Sequence, residues 1–479
     1  MPGVTSQQTN TVIVMSDQHF GRMMGCAGHP VVETPRMDEL AAAGTRYEWA
    51  YTPSSICVPA RAAFATGQHV HEIGYWDNAQ AYDGRVRGWG HALQDAGVPV
   101  ESIGKLHYTN AEAPTGFDRQ LLPMHIAGGV GQVWGLVREP LPVRPHGELM
   151  VSGAGAGLSS YNEYDLSITD RACKWLAEPS RSEGPWVLYV GLVAPHFPYV
   201  VPDEWFSRYD PESIERATPH PLDGDEPHPW IAQFLATVPG TDAGNTDEER
   251  RRCTAAYYGL CTFLDHNVGR IVDAIDDAGL WDTTRLIYTS DHGDQVGSRG
   301  HWGKSMPYEP SVNIPMIVCG PDVEARAVND TPVSLLDVGQ TALDAAGVPQ
   351  LEVPFGESLL GLADEPDRSM LSQYHAYGAP SAWFMLRRGR FKYVHYVGFE
   401  PELFDLLDDP EELTDLAADD SHRDVLESLA AELRRMLDPE DVDERAKASQ
   451  QALVEHFGGR DAALSMGTPA ETPAPSNGG

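Results

Sequence analysis

The chain has 479 residues, 42% of them hydrophobic, and a formal net charge of −36 from 70 acidic against 34 basic side chains. A charge of that sign excludes nucleic acid and anionic membrane surfaces as partners, and favours a small ligand over a polyanionic one. The length allows a large buried core and two domains, and no apolar run is long enough to span a membrane. The polar start, MPGVTSQQTN, lacks the basic and hydrophobic regions of a secretory leader, so the expected location is cytoplasmic.

A buried strand is predicted over Thr11–Ser16 (TVIVMS), then a helix from Pro35 to Ala43 ended by Gly44, and a short strand over Arg46–Ala50. The segment Cys57-Val58-Pro59-Ala60-Arg61 opens a helix of small residues, with Pro59 suited to the first helical position. Gly88–Ala96 reads as a helix and Val98–Gly104 as a strand. Residues 110–162 are rich in Gly and Pro and read as an irregular insertion over the site face. A helix over Asn162–Glu178 precedes a central strand within Pro185–Val193. A second irregular insertion spans about 208–245, followed by a long helix over Thr246–Gly279. Strands are predicted over Arg285–Ser290 and Pro315–Cys319, and a helix over Val333–Ala346. Strands alternating with helices predict an α/β fold, with a large central, mostly parallel sheet flanked by helices.

Near residue 380 the pattern changes to short strands (Trp383–Arg388, Phe391–Tyr396, Glu402–Asp405) and a helix from about His422 to Leu437. The expected division is a large α/β domain over 1–380, a small α+β subdomain over 381–440 and a tail over 441–479. The tail's last part, GTPAETPAPSNGG, has the composition of a disordered segment. The six cysteines have neither metal-type nor disulfide-type spacing, which predicts reduced, mostly buried thiols. Only five lysines occur: Lys105, Lys174, Lys304, Lys392 and Lys447.

Two acidic clusters stand at the ends of predicted strands, Asp17-Gln18 and Asp291-His292-Gly293-Asp294. Ligands of open α/β sheets bind beyond the carboxyl ends of the strands, so a divalent metal between the two clusters is a natural inference. Together with Cys-x-Pro-x-Arg at 57–61, Gly104-Lys105-Leu106-His107, Pro195-His196-Phe197-Pro198, Lys304 and the turn Glu402–Asp405 with Asp409–Glu412, nearly the whole chain resembles the formylglycine-dependent sulfatases of the alkaline-phosphatase superfamily. The resemblance is to the bacterial branch of choline sulfatases and phosphonate monoester hydrolases.

That resemblance implies hydrolysis of a small-molecule sulfate ester to alcohol and inorganic sulfate. It implies that Cys57 is oxidised to formylglycine by a formylglycine-generating enzyme, and that the hydrated aldehyde attacks the ester. Asp17, Gln18, Asp291 and His292 would bind one divalent metal together with the residue at 57. Arg61 would hold the diol and the local negative charge. Lys105, His107, His196 and Lys304 would surround the sulfuryl group, with His196 favoured as the proton donor, and Asn78 would contact substrate. Many relatives have an aspartate pair where Asp17-Gln18 stands and Asn where His292 stands. The softer donor set here favours Mn²⁺, with Ca²⁺ open.

Phosphonate or phosphodiester hydrolysis is the alternative within the superfamily. Lys105 and His107, where those relatives tend to carry hydroxyls, favour sulfate. A catalytically inactive binding protein is the alternative from another class. Trp134, Tyr161, Trp205, Phe206 and Trp230 are candidates for an aromatic cage or for packing the insertions. A homo-oligomer is left open.

Overall fold

A computed structural model describes residues 8–144, 149–215, 226–238, 245–353, 355–466 and 472–475. At its centre lies strand β1 (Asn10–Asp17), buried at every position. An apolar run without polar alternation suits a strand covered on both faces. The same sheet contains β2 (Thr45–Tyr47), β3 (Val100–Lys105), β4 (Arg119–Met124), β5 (Val187–Pro195), β6 (Thr284–Ser290), β7 (Met316–Cys319) and β8 (Ala327–Asn329). Its spatial order is β8-β2-β7-β6-β1-β5-β3-β4. Strand β1 pairs in parallel with β5 and β6, and β3 pairs in parallel with β5 and β4. Only β7 opposes its neighbours, β6 and β2. The expected mostly parallel sheet is present.

Alternate side chains of β1 serve opposite cores. Ile13 and Met15 pack against helices α2 (Cys57–Thr66), α3 (Trp89–Asp95) and α6 (Asp337–Ala345), through Phe64, Trp89 and Leu343. Val12 and Val14 pack against α1 (Pro35–Ala43), α4 (Ser160–Leu176) and α5 (Asp247–Asp277), through Met37, Ile168 and Leu264. Helix α5 begins with a capping box between Thr246 and Glu249.

A second, antiparallel sheet is built from β9 (Met370–Tyr374), β10 (Trp383–Arg388), β11 (Phe391–Tyr396) and β12 (Glu402–Asp405), followed by α7 (Arg423–Met436). Because β9 pairs with β10, this sheet begins before the expected boundary at 380/381. The stretch expected as a tail is helical at first: α8 (Pro439–His456) opens on an Asp438 cap and is followed by α9 (Arg460–Ser465). Most of the low-complexity end lies outside the described residues.

The insertion expected to be irregular over 110–162 carries β4, an edge strand whose RQLLPM sequence has a proline and no β-branched residue to announce it. The second insertion carries a helix over Pro229–Thr237, while its residues 216–225 and 239–244 lie outside the described residues.

Candidate active site

The chemistry-bearing residues collect at the carboxyl ends of four adjacent parallel strands. Asp17 ends β1 and Lys105 ends β3; Asp291 follows β6 and His196 follows β5. Two of the turns away from the sheet place non-glycine residues in the left-handed region, Gln18 at φ 70° and His107 at φ 56°. Such strain persists where surrounding structure holds it, commonly at functional sites. Strands β3 and β5 approach closely because Gly104 faces Gly191. A Cβ on Gly104 would meet the Gly191 carbonyl oxygen at 2.3 Å, and one on Gly191 the Lys105 carbonyl oxygen at 2.2 Å. The glycine pair thus sets how Lys105 enters the site.

Cys57 is the first residue of α2, after an extended Ile56. The expectation for Pro59 is off by two positions: it sits third in the helix. It still lies in the first turn, where a missing N–H costs nothing. The neighbouring Val58 N–H donates to Asn78 Oδ1 at 3.1 Å, so Asn78, which also lines the pocket, holds the helix start.

Ligand atoms of Asp17, Cys57, Asp291 and His292 all lie within 4.8 Å of one another, and all four residues are buried. His292 Nδ1 stands 3.0 Å from the Gly293 carbonyl, which can only accept. Nδ1 therefore carries the proton and Nε2 presents its lone pair to the cluster, 3.2 Å from Cys57 Sγ. Gln18 is oriented in the same way. Its Nε2 donates to Asp294 Oδ2 at 2.5 Å, so its Oε1 faces the site and accepts from Lys304 Nζ at 2.9 Å. Tyr199 Oη donates to the same Asp294 oxygen at 2.6 Å.

Arg61 spans the two carboxylates, Nε to Asp291 Oδ2 at 2.8 Å and Nη2 to Asp17 Oδ2 at 3.0 Å. Its Nη1 donates to Tyr189 Oη and the Lys105 carbonyl. Burial alone would raise the Asp17 carboxyl, but Lys105, His196, Lys304 and Arg61 outweigh it and hold Asp17 well below the usual carboxylate range. Burial dominates at Asp291 and pushes its carboxyl up to about 7 against the pull of Arg61. Two buried carboxylates and an imidazole lone pair converging beside Cys57, with the Gln18 amide oxygen held nearby by Lys304, form a donor set that fits a divalent cation.

Around Cys57 stand the cations. Lys304 Nζ lies 2.9 Å from Cys57 Sγ. Lys105 Nζ lies 2.8 Å from Asp17 Oδ2, close but without hydrogen-bond alignment. Burial, with Asp17 beside it, pushes the Cys57 thiol up to about 11, so the unmodified cysteine is a poor nucleophile. His196 donates from Nδ1 to the Phe197 carbonyl at 2.5 Å. His107 has a hydrogen-bond partner at neither ring nitrogen among the described residues. Burial, and then the neighbouring cations (Lys105 and Arg61 for His107, Lys304 and Lys105 for His196), lower both rings well below the ordinary histidine range.

Cys57, Lys105, His107, His196, Lys304 and Asn78 line one pocket, with Asp17, Gln18, Asp291 and His292 beneath Cys57. Of the aromatic residues considered for a cage, Trp134 and Tyr161 line this pocket. Trp205 and Phe206 pack against the α5 side of the core, and Trp230 is buried against the second sheet. Sequence reasoning missed Arg144, Phe197 and Tyr377 as pocket walls, and Tyr199 as a support of Gln18. Asp294 was in view as the last residue of Asp-His-Gly-Asp, but its role depends on a fold contact. Thr472 and Pro473 also reach the pocket, where Tyr161 Oη donates to the Thr472 carbonyl at 2.5 Å.

Residues 9–348 match the sulfatase family model, and residues 297–438 match the model described as N-sulphoglucosamine sulphohydrolase, C-terminal. The chain is 32% identical over 432 residues to a choline-sulfatase of Rhizobium meliloti (strain 1021), covering 86% of this chain and 83% of the relative. It is 30% identical over 459 residues to arylsulfatase K of Bos taurus, covering 89% and 81%. The fold resembles the phosphonate monoester hydrolase of Agrobacterium radiobacter, with a TM-score of 0.71 at 24% identity over 89% of this chain and 95% of that one. The chain belongs to the sulfatase family of sulfuric ester hydrolases. No helix among the described residues is long and apolar enough to cross a membrane.

Proposed function

We propose that the protein hydrolyses a small-molecule sulfate ester to an alcohol and inorganic sulfate, with Cys57 matured to formylglycine and one divalent cation bound. The observation that carries this reading is the buried convergence of Asp17, Asp291 and His292 on Cys57, with Lys304 Nζ 2.9 Å from the sulfur. Asp17, Gln18, Asp291 and His292 hold the cation, Mn²⁺ by preference for the imidazole and amide donors, with Ca²⁺ as the alternative. Formylglycine and the cation together supply an activated oxygen nucleophile at position 57.

The chain's own residues do the rest. Arg61 holds both carboxylates in place. Lys105 and Lys304 offer N–H donors and positive charge to the sulfuryl oxygens, where charge builds up in the transition state. His196 donates its Nδ1–H in a hydrogen bond to the Phe197 carbonyl, so at Nε2 the neutral ring can only accept. His107 keeps an N–H without a partner among the described residues and is the better placed to serve the leaving oxygen, in place of His196. The small apolar walls Ile126, Ala127 and Val130 exclude water on one side.

Sulfate release from phenyl sulfate, measured beside turnover of a phenyl phosphonate ester on the same mass-mapped, metal-assayed sample, tests the reading. Sulfate release that requires both formylglycine and metal supports it. Faster phosphonate turnover, or full activity with an unmodified Cys57, overturns it.

A further inference from the structure

The pocket above Cys57 has an unusual charge for this chain. The sequence carries 70 acidic residues, yet no Asp or Glu lines the pocket among the described residues. Beyond Lys105 and Lys304, which serve the sulfuryl group, a third cation lines its wall: Arg144. Arg144 is half-buried, and its loop is pinned by a hydrogen bond from its N–H to the Thr237 carbonyl at 2.7 Å. It makes no ion pair with the described residues.

Two of the four aromatic walls, Phe197 and Tyr161, already face protein cations. The Phe197 ring already faces two protein cations, with Lys304 Nζ at 5.6 Å and Arg144 Cζ at 6.0 Å from its centroid. The Tyr161 ring has Lys105 Nζ at 5.9 Å. A quaternary ammonium entering here would meet three positive charges, no carboxylate among the described lining residues, and, at Phe197 and Tyr161, ring faces whose negative potential is already engaged. Trp134 and Tyr377, 5.8 Å apart and inclined at 42°, remain as walls for a planar group.

On the reading that the pocket takes a sulfate ester, we infer that its substrate carries a second anionic group, a carboxylate or a further sulfate, on a ring that rests on Trp134 and Tyr377, and that Arg144 recognises this group. A guanidinium binds planar oxyanions through paired N–H donors, which is the chemistry this position offers. The same charge pattern sets the specificity against choline-like esters, although a choline-sulfatase is among the relatives.

Three sulfonates that cannot be hydrolysed test this without turnover: 4-sulfobenzoate, benzenesulfonate and 4-(trimethylammonio)benzenesulfonate, titrated calorimetrically into the mature protein. The carboxylate compound should bind at least about tenfold more tightly than the trimethylammonium compound, a gap of about 1.4 kcal/mol. Arg144→Ala should cut that ratio about tenfold, Arg144→Lys should keep most of it, and Arg144→Glu should invert it, each with a melting temperature confirming the fold. The inference is overturned if the trimethylammonium compound binds as well as the carboxylate, if the ratio ignores Arg144, or if none of the three binds. Sulfate release from phenyl sulfate is read separately. Its absence beside an intact binding preference would sink the enzymatic reading and leave the anion preference standing.

Discussion

Asp17 and Asp291 share a guanidinium and a cluster, yet burial and neighbouring cations drive their carboxyls in opposite directions. Asp17, ringed by Lys105, His196, Lys304 and Arg61, stays ionised, whereas Asp291 rises to about 7. Below pH 7 the metal-free Asp291 holds a proton that an incoming cation must displace. Cation affinity should therefore fall by about tenfold for each pH unit below 7 and level off above it. Titrations of Mn²⁺ from pH 5 to 8 check this, and a flat profile would remove Asp291 from the ligand set. Asp291→Asn preserves the acceptor that meets the Gln18 and His292 N–H groups, but turns Oδ2, which accepts from Arg61 Nε at 2.8 Å, into a donor facing a donor. Metal content and rate should collapse together, and the melting temperature should fall because the buried Arg61 loses one of its two carboxylate partners. His107→Ala should slow esters of poor leaving groups by about 10²- to 10⁴-fold and nitrophenyl sulfate much less. His196→Ala should depress both substrates alike, and the reverse pattern would return the acid role to His196.

At the scale of elements, strand ends and one helix start do the positioning. Helix α2 has no side-chain cap from Ile56 itself; Asn78, twenty residues on, satisfies the Val58 N–H instead. Removing it should cost about 1 kcal/mol, the usual value of a cap, and should also loosen Cys57 at the first helical position. Asn78→Ala should lower the melting temperature by about 1 °C and the rate severalfold, and Asn78→Asp, which keeps the acceptor oxygen, should restore stability. An unchanged melting temperature in Asn78→Ala would deny the capping role. Asn78 was legible in the sequence as a candidate substrate contact. Its hold on α2 was not, because a cap supplied from outside the helix leaves no local pattern.

Across the whole molecule, the antiparallel sheet is locked to the α/β unit by a buried ionic knot. Lys392 on β11 reaches Glu309 at 3.1 Å and Glu412 at 2.6 Å, and Tyr51 Oη donates to Glu309. Side chains 392 and 412 are 0% exposed, so losing the lysine strands the Glu412 carboxylate and leaves Glu309 only its longer pair with Arg22 at 3.7 Å. Lys392→Met should destabilise the protein by about 3–5 kcal/mol in denaturant titrations. Lys447→Met, whose side chain is 38% exposed beside Asp443, should cost less than about 1 kcal/mol. Equal effects would mean that the knot contributes nothing beyond a surface pair. Lysine scarcity was thus an informative sign: three of the five lysines, 105, 304 and 392, are buried in charged clusters.

The sequence by itself determined the class of sheet, the strand ends that carry Asp17 and Asp291, and the cysteine at a helix start. These are encoded locally, by apolar runs, by a turn-forming acid after a strand, and by a short spaced motif. Only the tertiary structure decided which way Gln18 turns, that His196 donates its Nδ1–H to a backbone carbonyl, and that Arg144 shares a pocket with Cys57. Edge strand β4 and pairing strand β9 were likewise invisible until their partners were in place. The physical reason is common to all of these. Burial, charge pairing and edge pairing are set by groups distant along the chain, and a sequence pattern records a residue's neighbours in order, not those it meets in the fold.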